Sequence, residues 1–169
     1  LTLFPDWFAA TPSDWPSQVR RGSFPLYDDA LPSQSDATDP LPTELRNFLS
    51  AGPAPIVFMP GTAQKNTNGF FSSAIAACQR LDVRGILLGH PGAVARMALP
   101  TTLHATEYAP FGALLPHTHA LVHHGGIGTS AQALRAGIAQ LVWPHAYDQF
   151  DNAMRLERLG VGLSIRSNP

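Results

Sequence analysis

Short apolar runs recur along the chain from about residue 55, and stretches with helical spacing separate them. This alternation predicts a parallel sheet covered by helices, because each run suits a buried strand and each helical stretch suits a crossover. The predicted strands are Ile56–Met59, Arg84–Leu88, Leu103–Thr106, Ala120–His123, Gln140–Trp143 and Gly162–Ile165. The predicted helices are Thr43–Ser50, Gly69–Leu81, Phe111–Leu115, Thr129–Ala136 and Phe150–Leu159. We therefore expect an α/β fold with a doubly wound parallel sheet.

The N-terminal arm, residues 1–50, shows neither the spacing typical of a helix nor the alternation typical of a strand. The first 55 residues hold nine of the 16 prolines. The arm is also rich in aromatic residues, namely Phe4, Trp7, Phe8, Trp15 and Phe24. A solvated linker would not need them, so part of the arm is expected to lie against a domain surface. We expect residues 1–50 to be an interdomain linker and the tail of a missing N-terminal domain. Residues 51–169 are expected to be the next domain, truncated at its C-terminus.

Composition and charge exclude several classes of protein. With 44% hydrophobic and 14% charged residues, the chain can bury a core. Eleven basic and 12 acidic residues give a net charge of -1, which provides no basic surface for nucleic acid. No apolar run approaches the roughly 20 residues that span a bilayer. The single cysteine, Cys78, is expected to be a buried thiol, and the absence of a disulfide favours the cytoplasm.

The most informative stretch runs from Ala120 to Ser130 and reads Ala-Leu-Val-His-His-Gly-Gly-Ile-Gly-Thr-Ser. A predicted strand leads here through a glycine-rich turn into a predicted helix. Such a turn exposes backbone N–H groups at the positive end of a helix, which favours a phosphate. Glycines let the anion approach closely, and Thr129 and Ser130 can donate hydroxyl hydrogen bonds or cap the helix.

Other interpretations of the glycine-rich turn are open. A tight turn without any ligand is one of them, whereas a Walker A loop is excluded because no Lys-Ser/Thr pair follows the glycines. Gly126, Gly128 and Ala131 satisfy a loose dinucleotide-binding fingerprint, and Asp148 lies 20 residues beyond Gly128. That fingerprint expects its acid at the end of the next strand and its glycines early in the domain. Neither condition is met here.

A zinc site is a further alternative, because four histidines fall within eight residues: His117, His119, His123 and His124. Neighbouring positions on a strand point to opposite faces, so His123 and His124 cannot easily share one metal. No cysteine or carboxylate lies close in sequence to complete the ligand set. We expect no metal, and one histidine at the strand end beside a phosphate.

A second polar group, Asp148 and Gln149, follows Trp143 and Pro144. A carboxylate accepts hydrogen bonds and an amide both donates and accepts them, which suits the vicinal hydroxyls of a sugar. Asp148 is also a good N-cap candidate for the helix after it. Taken alone, capping is the simpler interpretation.

Together these residues resemble the C-terminal donor-binding domain of the GT-B family of nucleotide-sugar glycosyltransferases, which has a Rossmann-like fold. The resemblance covers about residues 55–165 and rests on the order and spacing of four motifs. These are His-His-Gly-Gly-x-Gly-Thr from His123, Arg-Ala-Gly-Ile from Arg135, Trp143-Pro144, and Asp-Gln-x-x-Asn from Asp148. It implies that residues 51–169 bind a nucleotide-sugar donor.

The resemblance implies roles for individual residues. The donor diphosphate would contact His124 and the backbone of Gly126, Gly128 and Thr129, with Gly61 and Thr62 reaching it from across the cleft. Asp148 and Gln149 would hold sugar hydroxyls. Tyr108 would stack on the base, and Phe111 and Gln132 occupy the positions of residues that contact base and ribose in plant enzymes. Phe111 and Gln132 replace a glutamine and a glutamate there, so UDP and dTDP are both open.

The resemblance further implies an inverting transfer to a small-molecule or lipid acceptor, with a UDP-sugar or dTDP-sugar as substrate and no cofactor. The general base and most acceptor contacts are expected in the missing N-terminal domain, so this chain alone carries no catalytic residue and should be inactive. Two alternatives stay open: an NAD(P)-binding domain of an oxidoreductase, and a non-catalytic domain that binds a nucleotide sugar.

Overall fold

The computed structural model describes residues 1–28, 40–61, 68–89 and 99–165. Within them, six parallel strands form one sheet. The strands are β1 (Ile56–Met59), β2 (Gly85–Leu88), β3 (Leu103–Thr106), β4 (Ala120–His123), β5 (Ala139–Val142) and β6 (Gly162–Ser164). The helices are α1 (Thr43–Ser50), α2 (Asn68–Leu81), α3 (Phe111–Leu114), α4 (Ile127–Ala136) and α5 (Gln149–Arg158). The predicted α/β fold is therefore confirmed.

The spatial order of the strands is β3-β2-β1-β4-β5-β6. From β1 the chain adds β2 and β3 on one side of the sheet, and from β4 it adds β5 and β6 on the other side. The order therefore reverses between β1 and β4. This reversal defines a topological switch point, where open α/β sheets leave a crevice beyond the carboxyl ends of the strands. Met59 and His123, the last residues of β1 and β4, are paired across that point.

Both faces of the sheet are covered. On one face, strand side chains such as Val57, Ile86 and Leu121 form a core cluster with α1, α3 and α4. On the other face, Phe58 and Leu87 pack against α2. Alternation along β1 and β2 explains the division, because successive side chains point to opposite faces.

The N-terminal arm packs on the domain itself. Phe8 and Ala9 are buried in a third cluster with Val142 of β5 and Leu156 of α5. Arg155 donates to the backbone oxygen of Phe8 at 3.2 Å. Leu45 of α1 is fully buried in the core beneath the first face. The division of the chain at residue 50 stays a prediction, but the arm shares its apolar contacts with the sheet.

Element boundaries differ from the predicted ones by one or two residues at several ends. Helix α4 begins at Ile127, two residues before the predicted start, so Gly128 and Thr129 lie in its first turn. Strand β5 ends at Val142, and the ring of Trp143 beyond it stacks on Phe70 with centroids 6.0 Å apart. The Phe111 helix continues as a short 3-10 turn, Leu115–His117.

Candidate nucleotide-sugar site

Gly125 makes the sharp turn between β4 and α4. Its φ of 92° lies in the left-handed region that glycine tolerates. An added Cβ would lie 2.7 Å from Val142 Cγ1 and 3.1 Å from the backbone oxygen of Gln149. Only glycine therefore lets the chain reverse here while β5 and α5 stay close.

The glycine-rich turn places the N-terminus of α4 at the switch point. Gly126, which has no side chain that could cap the helix, is the N-cap residue of α4. Ile127, Gly128 and Thr129 form the first turn, where backbone N–H groups have no intrahelical acceptor. Ser130 is turned away, because its hydroxyl donates to the Gly126 oxygen at 3.0 Å. The remaining amides and the helix dipole form a site suited to an anion.

His124 lies between two glycines at the carboxyl edge of the sheet. A Cβ added at Gly61 would lie 2.7 Å from Nδ1 of His124, and a Cβ added at Gly126 would lie 2.5 Å from Nε2 of the same ring. Among the described residues, the buried Nδ1 has no hydrogen-bond partner. Burial lowers the pKa of His124, the nearby charge of His145 lowers it further, and Asp148 opposes both. A bound anion would favour the charged imidazolium, which makes this ring a candidate phosphate contact.

His123, the neighbouring histidine, has a different role. Its ring is fully buried, and Nδ1 accepts the backbone N–H of Gly125 at 3.1 Å. Nε2 therefore carries the hydrogen and donates to Gln140 Oε1 at 3.0 Å. Burial and the charge of His124 lower the pKa of His123 to about 4, against a smaller opposing effect of Gln140. A neutral His123 shapes the turn from inside the protein.

The loop after β5 places the two predicted sugar contacts. Gln149 Oε1 accepts the backbone N–H groups of His145 at 2.8 Å and Ala146 at 3.0 Å. Asp148 is exposed and occupies the N-cap position of α5, yet its carboxylate makes no cap hydrogen bond. Tyr147, directly before it, has a φ of 57° and is 90% exposed. The capping interpretation of the Asp148 side chain is therefore wrong.

Asn152 connects this loop to the glycine turn. Its amide nitrogen donates to the Gly125 oxygen and to Asp148 Oδ2, each at 2.9 Å. Asn152 is 4% exposed, so water does not compete strongly for these bonds. The glycine-rich turn and Asp148, a predicted sugar contact, thus belong to one hydrogen-bonded unit.

The predicted nucleoside contacts lie near Tyr27 and Asp28 of the N-terminal arm. The Asp28 carboxylate accepts the backbone N–H groups of Phe111 at 2.8 Å and Gly112 at 2.6 Å. Gln132, on α4, donates from Nε2 to the Tyr27 oxygen at 3.0 Å. Its Oε1 is buried and has no partner among the described residues. Tyr108 is 37% exposed beyond β3.

Gln132 lies one helical turn beyond Gly128 on α4. Residues four apart share a helix face and are about 5–6 Å apart at their Cβ positions. A ligand that places its diphosphate at the start of α4 would therefore meet Gln132 next.

One predicted site residue, Thr62, lies outside the described residues. The structure brings Gly61, His124 and Gly126 into contact and joins Asp148 to the same loop through Asn152. Sequence reasoning did not identify Asp28 or the role of Gln140, although a glutamine in an apolar strand was a usable signal.

The metal and dinucleotide alternatives find no support in the geometry. Nowhere in the described parts of the chain do three His, Cys, Asp or Glu side chains come together as a metal would need. The rings of His123 and His124 are 6.3 Å apart and perpendicular. Asp148 is the N-cap residue before α5 and lies six residues beyond the end of β5, so the acid of the dinucleotide fingerprint is misplaced.

No helix among the described residues is long and apolar enough to cross a bilayer.

Several known proteins with related sequences or structures are glycosyltransferases. O-mycaminosyltylonolide 6-deoxyallosyltransferase of Streptomyces fradiae is 33% identical over 88% of this chain and 33% of its own length. The glycosyltransferase SnogD from Streptomyces nogalater superimposes with a TM-score of 0.62 and 31% identity, covering 97% of this chain and 41% of that one. The spinosyn rhamnosyltransferase SpnG complexed with thymidine diphosphate superimposes with a TM-score of 0.58 and 29% identity. The match covers 66% of this chain and 31% of that one.

The chain spans a third or less of the length of the first curated relatives that it matches. Residues 75–169 match the family described as "Erythromycin biosynthesis protein CIII-like, C-terminal domain". The solved structure of SnogD shares the fold, and the resemblance to a glycosyltransferase C-terminal domain is confirmed. The chain therefore belongs to the erythromycin biosynthesis protein CIII-like C-terminal domain family.

Proposed function

We propose that the crevice between the ends of β1 and β4 binds the nucleoside diphosphate of a sugar donor. The observation that carries this proposal is the position of His124, held between Gly61 and Gly126 beside the uncapped start of α4. A half-buried imidazole, free amide groups and a helix dipole converge there at the switch point. These groups complement a diphosphate without needing a metal.

The diphosphate would be bound by His124 and by backbone amides of Gly126, Gly128 and Thr129. Gly61 and Thr62 follow β1 on the other side of the switch point and would approach the same anion. Burial keeps His124 mostly neutral in the free site, since its pKa is lowered. Binding a dianion would raise that pKa and draw in a proton, which strengthens the contact.

The sugar would contact Asp148 and Gln149. Gln149 Oε1 is occupied by two backbone N–H groups, so its Nε2 is the group that donates to a hydroxyl. One oxygen of Asp148 is held by Asn152, and the carboxylate of this exposed residue can accept from the ligand. One donor and one acceptor side by side match a pair of vicinal hydroxyls.

The nucleoside would lie along α4 towards Tyr108, Phe111 and Gln132. Tyr108 supplies a partly exposed ring for stacking, and Gln132 would contact the ribose. UDP and dTDP are both candidates. Thymidine diphosphate is the ligand named for the related rhamnosyltransferase SpnG, which supports including dTDP.

The reaction of the parent enzyme would be an inverting transfer from this donor to a small-molecule or lipid acceptor, in the cytoplasm. An acceptor oxygen attacks the anomeric carbon while the nucleoside diphosphate leaves. Negative charge grows on the leaving phosphate, where His124 and the α4 amides would stabilise it. The general base and the acceptor contacts would come from a further domain, so this chain alone would transfer no sugar.

Calorimetric titration of this chain with UDP, dTDP and NAD tests the proposal. Binding of UDP or dTDP but not NAD is expected, and binding of NAD alone would reverse the assignment. In an enzyme that includes the acceptor domain, His124→Ala should lower kcat/KM by about a hundredfold, the typical cost of losing one such donor. Near-normal turnover would contradict the role of His124.

A further inference from the structure

We propose that His123 and Asn152 are positioning residues that clamp Gly125 from both sides and thereby connect the diphosphate loop to Asp148. The effect on ligand binding rests on the proposed function. The clamp itself depends only on contacts within the chain. Neither side chain needs to touch the donor.

The amide side of Gly125 is held by His123. A backbone N–H can only donate, so the 3.1 Å contact requires an unprotonated Nδ1. Gln140 enforces that tautomer, because its Oε1 accepts the hydrogen on Nε2 at 3.0 Å. His123 and Gln140 are 0% and 3% exposed, so water cannot substitute for either bond.

The carbonyl side of Gly125 is held by Asn152. One amide nitrogen offers two hydrogens, and the two acceptors at 2.9 Å are the Gly125 oxygen and Asp148 Oδ2. The distance between the glycine turn and the Asp148 carboxylate is therefore set by a single buried group. If either acceptor moves, the shared Asn152 amide moves with it and displaces the other acceptor.

Gly125 needs this clamp because glycine populates many backbone conformations. With φ at 92° and no side chain, its flanking peptide groups could rotate at little steric cost. Rotation would redirect the amides of Gly126 and the first turn of α4. Fixing Gly125 before the ligand arrives removes an ordering cost from binding.

Amide hydrogen exchange of the ligand-free chain tests the clamp. His123→Leu should speed exchange at Gly125 by about tenfold, the loss expected for one net hydrogen bond. His123→Asn should restore slow exchange, because Asn Oδ1 can replace Nδ1 as acceptor. In the ligand titrations with Asn152→Leu, the control is Asn47→Leu, at an exposed position on α1. Unchanged exchange at Gly125 in His123→Leu would overturn the proposal.

The imidazole nitrogen-15 spectrum of the unaltered chain gives a readout that does not depend on a folded variant. His123 should be neutral with its hydrogen on Nε2. The opposite tautomer, with the hydrogen on Nδ1, would remove the acceptor for Gly125 and overturn the clamp. Gln140→Leu should reduce the preference for the Nε2 tautomer, and no change would count against the role of Gln140.

Titration with UDP and UDP-glucose tests the link to Asp148. Asn152→Leu should weaken UDP binding by about tenfold, whereas Asp148→Ala should reduce only the added affinity for the sugar. The double variant should lose less than the product of the two single effects, since both act through one unit. Independent effects would refute the coupling. A wild-type chain that binds no UDP or dTDP would reject the proposed function, while the exchange rates would still decide the clamp.

Discussion

The ring of His124 occupies the space beside Gly61, where a Cβ would lie 2.7 Å from Nδ1. Gly61 follows β1 and His124 follows β4, so the contact joins the two strands at which the sheet order reverses. The φ of Gly61 is 96°, which side-chain-bearing residues rarely adopt. The position of the imidazole therefore depends on a residue without a side chain.

Gly61→Ala should displace His124 and weaken UDP or dTDP binding by at least about tenfold, as for the loss of a charge-assisted hydrogen bond. Gly160→Ala is the matched control. Its φ of 70° carries similar backbone strain, and in the described part of the chain no atom lies within 4 Å of an added Cβ. Both variants should lose stability in urea, but only Gly61→Ala should lose affinity by calorimetry. Equal affinities would show that His124 does not contact the ligand.

Gly128→Ala separates binding from folding. An added Cβ at Gly128 meets no atom of the described residues within 4 Å, so stability should hold or rise by about 0.5–1 kcal/mol. If the diphosphate approaches this turn of α4, the new methyl group should obstruct it and lower affinity. Gly69→Ala in α2 has equally open space and should change only stability. An unchanged dissociation constant for Gly128→Ala would remove this residue from the site.

The free energy of unfolding should fall as the pH drops from about 6.5 towards 4. The lowered pKa of His123 means that the unfolded chain binds more protons than the folded chain in this window. Stability from this group is therefore complete above the unfolded pKa and is lost on acidification, by about 3 kcal/mol in total.

His123→Asn has no titrating group and should lack this component. Urea unfolding of both proteins at several pH values measures the difference between them, which cancels the contribution of other groups. A constant difference between the two proteins across the window would contradict a buried, neutral His123.

Asp28→Ala should destabilise the chain by about 1–2 kcal/mol, because two backbone N–H groups at the start of α3 lose a charged acceptor. The bonds concerned are those from Phe111 and Gly112. Asp14→Ala, at an exposed position of the same arm, should be close to neutral. Thermal unfolding distinguishes the two. Equal melting temperatures would show that Asp28 does not hold the arm in solution.

Gln132→Leu should distinguish nucleoside recognition from diphosphate recognition. Loss of the buried Oε1 acceptor should weaken UDP binding by about tenfold and leave inorganic pyrophosphate binding unchanged. Gln79→Leu, exposed on α2, serves as the control. A parallel loss for pyrophosphate would mean that Gln132 acts on the loop and not on the ribose.

The sheet was predictable because its signal is local. Strands β1, β3 and β4 coincide with the predicted apolar runs, since each run is short and bounded by turn residues. Helix α4 was predicted to start late because Gly126 and Gly128 suggested a loop. The observed start at Ile127 reflects the packing of Ser130 and Ala131, whose burial outweighs the low helix propensity of glycine.

The long-range contacts of the site were not predictable. Asp28 meets Phe111 across 83 residues, and no periodic or motif signal connects them. The sequence distinguishes His123 only as the neighbour of His124 that points to the opposite face of the strand. Its tautomer depends on Gln140 in the next strand, and such pairing requires the register of β4 and β5.

Docking of the arm also bears on how enzymes of this family could be recombined. A chimera with its junction at residue 51 would import the sheet without Phe8, whose ring fills space beside Val142 and Leu156. It would also leave the α3 terminus without the Asp28 carboxylate. An exchange of this domain between relatives should therefore include residues 1–28, because their contacts stabilise the sheet and the start of α3.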